Sequence, residues 1–195
     1  MSVRPPILDR VAAAGHTIFD TGSYDLNLIA IRSKNREAGS FDDKFCIAFK
    51  DVNGVWTTHW MACTTDPGLP WLEAPGRESG TAILVAGQHR GAWKIDKHRN
   101  KYDALCQRLK PLPVYRDKNR DGTLDMVISS IEVGMWGINI HRASINDSVA
   151  SVGRYSAGCI VIRDPKCFAQ LMDLARRQID YHPTWTSFSL TLLED

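Results

Sequence analysis

The chain is 195 residues long and 44% hydrophobic, with 24 basic and 22 acidic residues and a net charge of +2. That length supports one sizeable core, whereas two halves would each be marginal, so residues 1–195 are read as a single catalytic domain. The charges are well mixed, which excludes the basic stripe of a dedicated nucleic-acid binder, and no run approaches the roughly 18 apolar residues of a membrane span.

The N-terminal stretch MSVRPPILDRVAAAGHTIF is interrupted by Asp9 and Arg10, so it offers no signal-peptide core and implies synthesis in the cytoplasm. Strand-like runs then follow at 26–32, 44–50, 55–63 and 81–86, with Asp51-Val52-Asn53-Gly54 as a hairpin turn between the second and third. Residues 64–80 are rich in Pro and Gly and read as a long loop. Tyr102, Leu105, Cys106 and Leu109 fall at helical spacing, and strand-like runs return at 124–131, 136–140 and 159–162. Phe168, Leu171, Met172, Ala175 and Ile179 mark a second helix, opened by Asp164-Pro165 and ended at His182-Pro183, before a last strand at 187–193. The expectation is a mainly β fold with two short helices. No feature of the sequence specifies an oligomeric state.

Of the five cysteines, none forms a CxxC pair, and the odd number with irregular spacing argues for reduced thiols. Four lie in apolar settings. Cys159 alone follows a polar, glycine-containing turn, in VGRYSAGCIVIRD. A thiol becomes a useful nucleophile when a nearby imidazole takes its proton, and His141, at the end of the predicted strand 136–140, is the nearest upstream histidine. Pairing of the two flanking strands would bring the side chains together. Ala157 and Gly158 are small enough to leave backbone N–H groups facing a developing oxyanion. Ser156, Tyr155 and Trp136 flank the pair and are the candidate substrate contacts. The competing reading is a buried strand cysteine beside a surface histidine.

The pattern His141, residues 142–155, then Ser156-Ala157-Gly158-Cys159 resembles the signature of L,D-transpeptidase (YkuD-like) catalytic domains, over roughly residues 134–163. It departs from that signature at Ala157, where histidine is usual, and at Val161, where Arg or Asn is common. The resemblance implies an L,D-transpeptidase-like β-sandwich in which Cys159 attacks a carbonyl of a peptidoglycan stem peptide and His141 accepts and returns the proton. The carbonyl of Arg142 or a neighbour would orient the imidazole, and no cofactor would be required. Transfer to water or to a second stem-peptide amine would complete the reaction. Without a signal peptide, such an enzyme would reach the wall through a phage lysis system or as a delivered antibacterial effector. The alternative is a non-catalytic wall-binding or calcium-stabilised structural domain on the same fold.

One motif stands apart. In DKNRDGTLD, residues 117–125, Asp117, Asn119, Asp121 and Asp125 occupy the oxygen-ligand positions of an EF-hand-like calcium loop, with Gly122 at its sharp turn. Ile128 stands where a bidentate Glu is expected. The loop reads as a polar hairpin with Asp121-Gly122 at its tip, with a weakly bound structural calcium ion as the alternative.

Overall fold

Asp51 reverses the chain: its Oδ1 accepts the N–H groups of Asn53 and Val55, both at 2.9 Å, while Gly54 takes φ +74°. The predicted hairpin is therefore present. In the computed structural model, which describes residues 3–195, the strands are β1 (Asn27–Arg32), β2 (Asp43–Lys50), β3 (Trp56–Thr64), β4 (Thr81–Leu84), β5 (Gly87–His98), β6 (Tyr102–Gln107), β7 (Leu112–Asp117), β8 (Glu132–Gly134), β9 (Ile140–Arg142), β10 (Ile160–Ile162) and β11 (Phe188–Glu194). The helices are α1 (Pro6–Ala13), α2 (Leu69–Glu73) and α3 (Pro165–Tyr181).

Eight strands close into a barrel in the order β1-β11-β5-β6-β9-β10-β3-β2, and β4-β7-β8 form a separate three-stranded sheet. The mainly β expectation holds, but the sandwich does not. Two of the pairings in this barrel, β1 with β11 and β9 with β10, are parallel.

Every residue of β1 is buried, because both of its faces are covered. Leu28 and Ala30 face the main core, while Ile29 and Ile31 pack with Ile7, Leu8 and Val11 of α1. This first helix was not among the predicted elements. Helix α3 follows the predicted spacing: Asp164 caps it by accepting the Lys166 N–H at 2.7 Å, and Phe168, Leu171, Met172 and Ala175 join the main core.

Three predicted elements are corrected. The strand expected at 136–140 is not one: residues 135–139 are irregular, and β9 begins only at Ile140 with His141 at its centre. Residues 102–109 are not a helix. Most of them form β6, antiparallel to β5, where Ala104, Leu105 and Cys106 are all fully buried, so alternation is lost and the run imitates a helical stripe. The run at 124–131 is not a strand either, but an irregular segment with a 3-10 turn at Ile128–Ser130 that leaves Val127 and Ile128 exposed. Within the predicted loop 64–80 lies the short helix α2.

The start of that loop is tied down by a buried ionic knot. Arg32, wholly inaccessible, pairs with Asp66 at 2.9 Å and donates to Thr65 Oγ1 and to Leu84 O. Asp43 accepts the backbone N–H and hydroxyl of Thr65 at 2.6 and 2.7 Å. Burial pushes the Asp66 carboxyl up to about 6, against the lowering effect of Arg32. No helix among the described residues is long and apolar enough to cross a membrane.

If α1 closes the outer face of β1, Leu8→Ala should cost about 2–5 kcal/mol in urea-unfolding free energy. A loss below 0.5 kcal/mol (roughly surface-like) would mean that α1 is not docked in solution.

Candidate active site

Strand β10 lies parallel to β9, with Ile160 opposite Ile140 and Val161 opposite His141. Side chains alternate across a strand, so Ile140, Ile160 and Ile162 enter the main core while His141, Val161 and the preceding Cys159 and Asn139 share the other face. Cys159 precedes Ile160 and His141 follows Ile140. The structure thus brings the two candidate residues onto one face of adjacent strands, two positions apart in register.

The turn before Cys159 explains its small residues. Gly158 has φ +114°, and a Cβ there would lie 2.3 Å from the carbonyl oxygen of Ala82 on β4, so only glycine fits. Ser156 is fully buried; its hydroxyl donates to Cys159 O at 2.8 Å and accepts the Gly158 N–H at 3.1 Å. Its carbonyl accepts the Gly68 N–H at 2.9 Å, which links the turn to the segment held by Arg32. Ser156 is thus placed as a brace for the turn. The Gly158 N–H is already engaged, and Ala157 is exposed at the rim.

His141 is 4% exposed, and its Nδ1 lies 2.8 Å from the carbonyl oxygen of Arg142. A carbonyl can only accept, so Nδ1 carries the proton and Nε2 keeps its lone pair. Arg142 contributes this backbone atom, whereas its guanidinium stacks on Tyr102 at 4.0 Å. Tyr102 Oη reaches the same carbonyl at 3.4 Å. His98 stacks on His141 with ring centroids 4.1 Å apart. Asn139 Oδ1 accepts the Gln107 N–H, so its amide nitrogen donates to His98 Nδ1 at 3.0 Å, which requires that nitrogen to be unprotonated.

Both imidazoles are therefore neutral near pH 7. Burial, then the facing His98, pushes His141 down to about 3; burial, then Arg99 and Arg108, pushes His98 down to about 4. Burial also raises the Cys159 thiol above its ordinary value, against lowering by the Asn139 N–H and Arg99. Sγ contacts the Asn139 N–H and Gly137 O, both at 3.4 Å, rather than the imidazole. The resting pair is a neutral thiol beside a neutral imidazole with an open acceptor nitrogen.

A cavity of about 190 Å³ adjoins Ala157. Trp71, Trp136, Arg77 and Arg116 line it. Trp136 is fixed by donating its indole N–H to Leu112 O at 2.9 Å, and the Arg116 guanidinium lies 4.1 Å from its ring. Arg116 Nε pairs with Glu132 at 2.8 Å, but its Nη2 is buried without a hydrogen-bond partner. Tyr155 is exposed at 41% on the same turn. A larger cavity of about 360 Å³, lined by Phe19, Arg90 and Trp185, contains none of the candidate residues.

Asp117, Asn119, Asp121 and Asp125 share one loop, and no three His, Cys, Asp or Glu side chains among the described residues form a ready metal site. Sequence reasoning missed His98, Tyr102 and Asn139 as neighbours of the candidate base. His98 and Tyr102 arrive on the β5–β6 hairpin, whose second strand was expected as a helix, and Asn139 arrives directly before β9.

No protein-family model matches this chain, and neither do any curated protein or solved structure.

The imidazole shifts set a pH window. In the unfolded chain both histidines bind protons below about 6.5, whereas the folded state resists protonation down to about 4 and 3. Unfolding free energy should therefore be fully retained above about pH 6.5 and fall as pH drops toward 4. His141→Gln with His98→Gln should flatten that slope in denaturant titrations; an unchanged slope would contradict the assignment.

Proposed function

We propose that this chain is a cysteine-dependent acyl-transfer enzyme acting on peptidoglycan stem peptides, with Cys159 as nucleophile and His141 as general base. The observation that carries this reading is the parallel register of β9 and β10, which sets thiol and imidazole on one face while the Arg142 carbonyl leaves Nε2 free to accept. The stem peptide as substrate comes from the resemblance of His141 and Ser156-Ala157-Gly158-Cys159 to L,D-transpeptidase catalytic domains.

As substrate enters, Sγ attacks the peptide carbonyl and its proton passes to His141 Nε2. N–H groups of the 157–159 turn other than that of Gly158 meet the oxyanion. Collapse breaks the C–N bond, the leaving amine takes the proton from His141, and a thioester remains on Cys159. Water or a second amine, deprotonated by His141, then releases the acyl group. Because the thiol rests neutral, nucleophile formation is coupled to substrate arrival, and spontaneous oxidation is slowed.

The cavity beside Ala157 supports the substrate assignment. Its two indoles suit an extended peptide, and the Arg77 side chain suits a carboxylate or carbonyl on it. Hydrolysis fits delivery from outside the wall-building machinery, as by a phage lysis system or as an antibacterial effector. A second reading, a wall-binding domain without chemistry, is favoured by one observation: Sγ is engaged with backbone groups rather than with the imidazole.

Purified muropeptides digested by wild type, Cys159→Ala and His141→Gln and read by mass spectrometry separate the two. Wild type should shorten or exchange stem peptides, Cys159→Ala should be inactive, and His141→Gln should retain about 10²–10⁴-fold less activity. Wild type that binds sacculi but leaves every muropeptide intact would establish the binding reading instead.

A further inference from the structure

Strand β5 pairs with β11 across a bulge. Trp93 stands opposite Phe188 and His89 opposite Leu190, so residues 90–92 face the single residue Ser189. Gly91 allows this at φ +63°, and its N–H donates to Ser189 Oγ at 3.0 Å. A Cβ on Gly91 would lie 3.4 Å from Ser187 Oγ and 3.6 Å from Lys110 Nζ, so the bulge gathers a hydroxyl and an ammonium over one backbone position. Beside it, Arg90 reaches over the ring of Phe19, with the guanidinium carbon 5.7 Å from the centroid. These residues line the cavity of about 360 Å³ that shares none of its lining with the Cys159 turn. Its size falls within the roughly 300–1,000 Å³ of small-molecule sites.

The walls of this cavity are fixed by the protein's own bonds. The buried Gln178 of α3 accepts the Leu26 N–H at 3.2 Å and donates to Trp185 O and Ser187 O at 3.3 and 3.4 Å. His182 stacks on the Trp185 indole with centroids 3.8 Å apart, and its Nε2–H donates to Ser23 O at 2.8 Å. The indole is thus backed on one face while it lines the cavity. Asp25, also in the lining, is buried and accepts the Thr21 N–H at Oδ2 at 2.9 Å. A carboxylate offers about four acceptor positions, so Asp25 keeps capacity for a further donor. Neither Arg90 nor Lys110 forms an ion pair among the described residues, with Asp25 or with any other carboxylate.

Two unpaired cations and one carboxylate around a single recess select among ligands. A bare anion would meet Arg90 and Lys110 but also Asp25, which repels it. A simple cation would meet the reverse. A ligand whose hydroxyl groups donate to Asp25 while its acid group faces Arg90 and Lys110 answers both, and a ring with an apolar face suits the backed indole. We propose that this cavity binds a sugar ring carrying one acid group, carboxylate or phosphate. Arg90 and Lys110 hold the acid, Asp25 accepts from a ring hydroxyl, and Trp185 covers the ring face. The site stands whether or not Cys159 is catalytic.

The test is titration of the ¹⁵N-labelled full chain with D-glucuronate, glucose 6-phosphate, glucose and inorganic phosphate. At least one of the two acid sugars should saturate with Kd of about 1 mM, as roughly a dozen heavy atoms allow, and move the Gly91 amide and Trp185 indole N–H signals. Glucose and inorganic phosphate should bind at least about tenfold more weakly. Arg90→Gln and Lys110→Gln, both at exposed positions, should keep Tm within about 2 °C of wild type and weaken the acid sugar at least about tenfold. Cys159→Ala should bind as wild type does, which separates this site from the acyl-transfer reading. No saturable binding of either acid sugar, equal binding of glucose or inorganic phosphate, or unchanged affinity in either folded variant overturns the proposal.

Discussion

Everything in the candidate site hangs on the pairing of two three-residue strands, β9 and β10. Parallel strands of that length contribute little by themselves, and the pair is held because it sits inside a closed barrel, with β6 on one side and β3 on the other. Ile140, Ile160 and Ile162 bury the inner face, which forces His141 and Cys159 to share the outer one. A slip of one residue would send one of the two into the core. The placement of the two side chains on one face is therefore a consequence of barrel closure.

The turn that presents Cys159 depends on parts of the chain far from it. Arg32 and Asp43 fix Thr65 and Asp66, the following Gly68 holds the Ser156 carbonyl, and Ser156 in turn braces Gly158 and Cys159. Breaking a buried ion pair by removing one partner strands the other charge, commonly at about 3–5 kcal/mol. Changes at Arg32 should therefore disturb the cysteine turn through this chain of bonds, with no contact to the thiol. Burial makes charging either imidazole unfavourable, helped at His141 by the facing His98 and at His98 by Arg99 and Arg108, and the Arg142 carbonyl selects the His141 tautomer.

Local pattern made part of this legible. β1, β2 and β3 announced themselves through apolar runs and an Asp-Asn-Gly turn whose bonds are all within five residues, and α3 through a capped stripe. The 102–109 segment misled because a strand covered on both faces has no alternation to read. Helix α1 is only eight residues long and its Asp9 and Arg10 interrupt the apolar run, although Pro6 stands at its start and Ile7, Leu8 and Val11 form its buried face. At the candidate site, the sharing of one face by Cys159 and His141 was legible from their two flanking runs. Their surroundings were not: His98, Tyr102 and Asn139 arrive through strand pairings that no local window contains, and the thiol's raised pKa follows from burial, where a free nucleophile in a polar turn was expected.

The most direct test of the central claim is to trap the acyl-enzyme. Wild-type protein mixed with a disaccharide-tetrapeptide and quenched in acid should show, by intact mass spectrometry, an adduct equal to the acyl fragment, mapped by digestion to the peptide containing Cys159. Turnover of the substrate with the adduct absent, or on any of the other four cysteines, would contradict the assignment of Cys159 as the nucleophile.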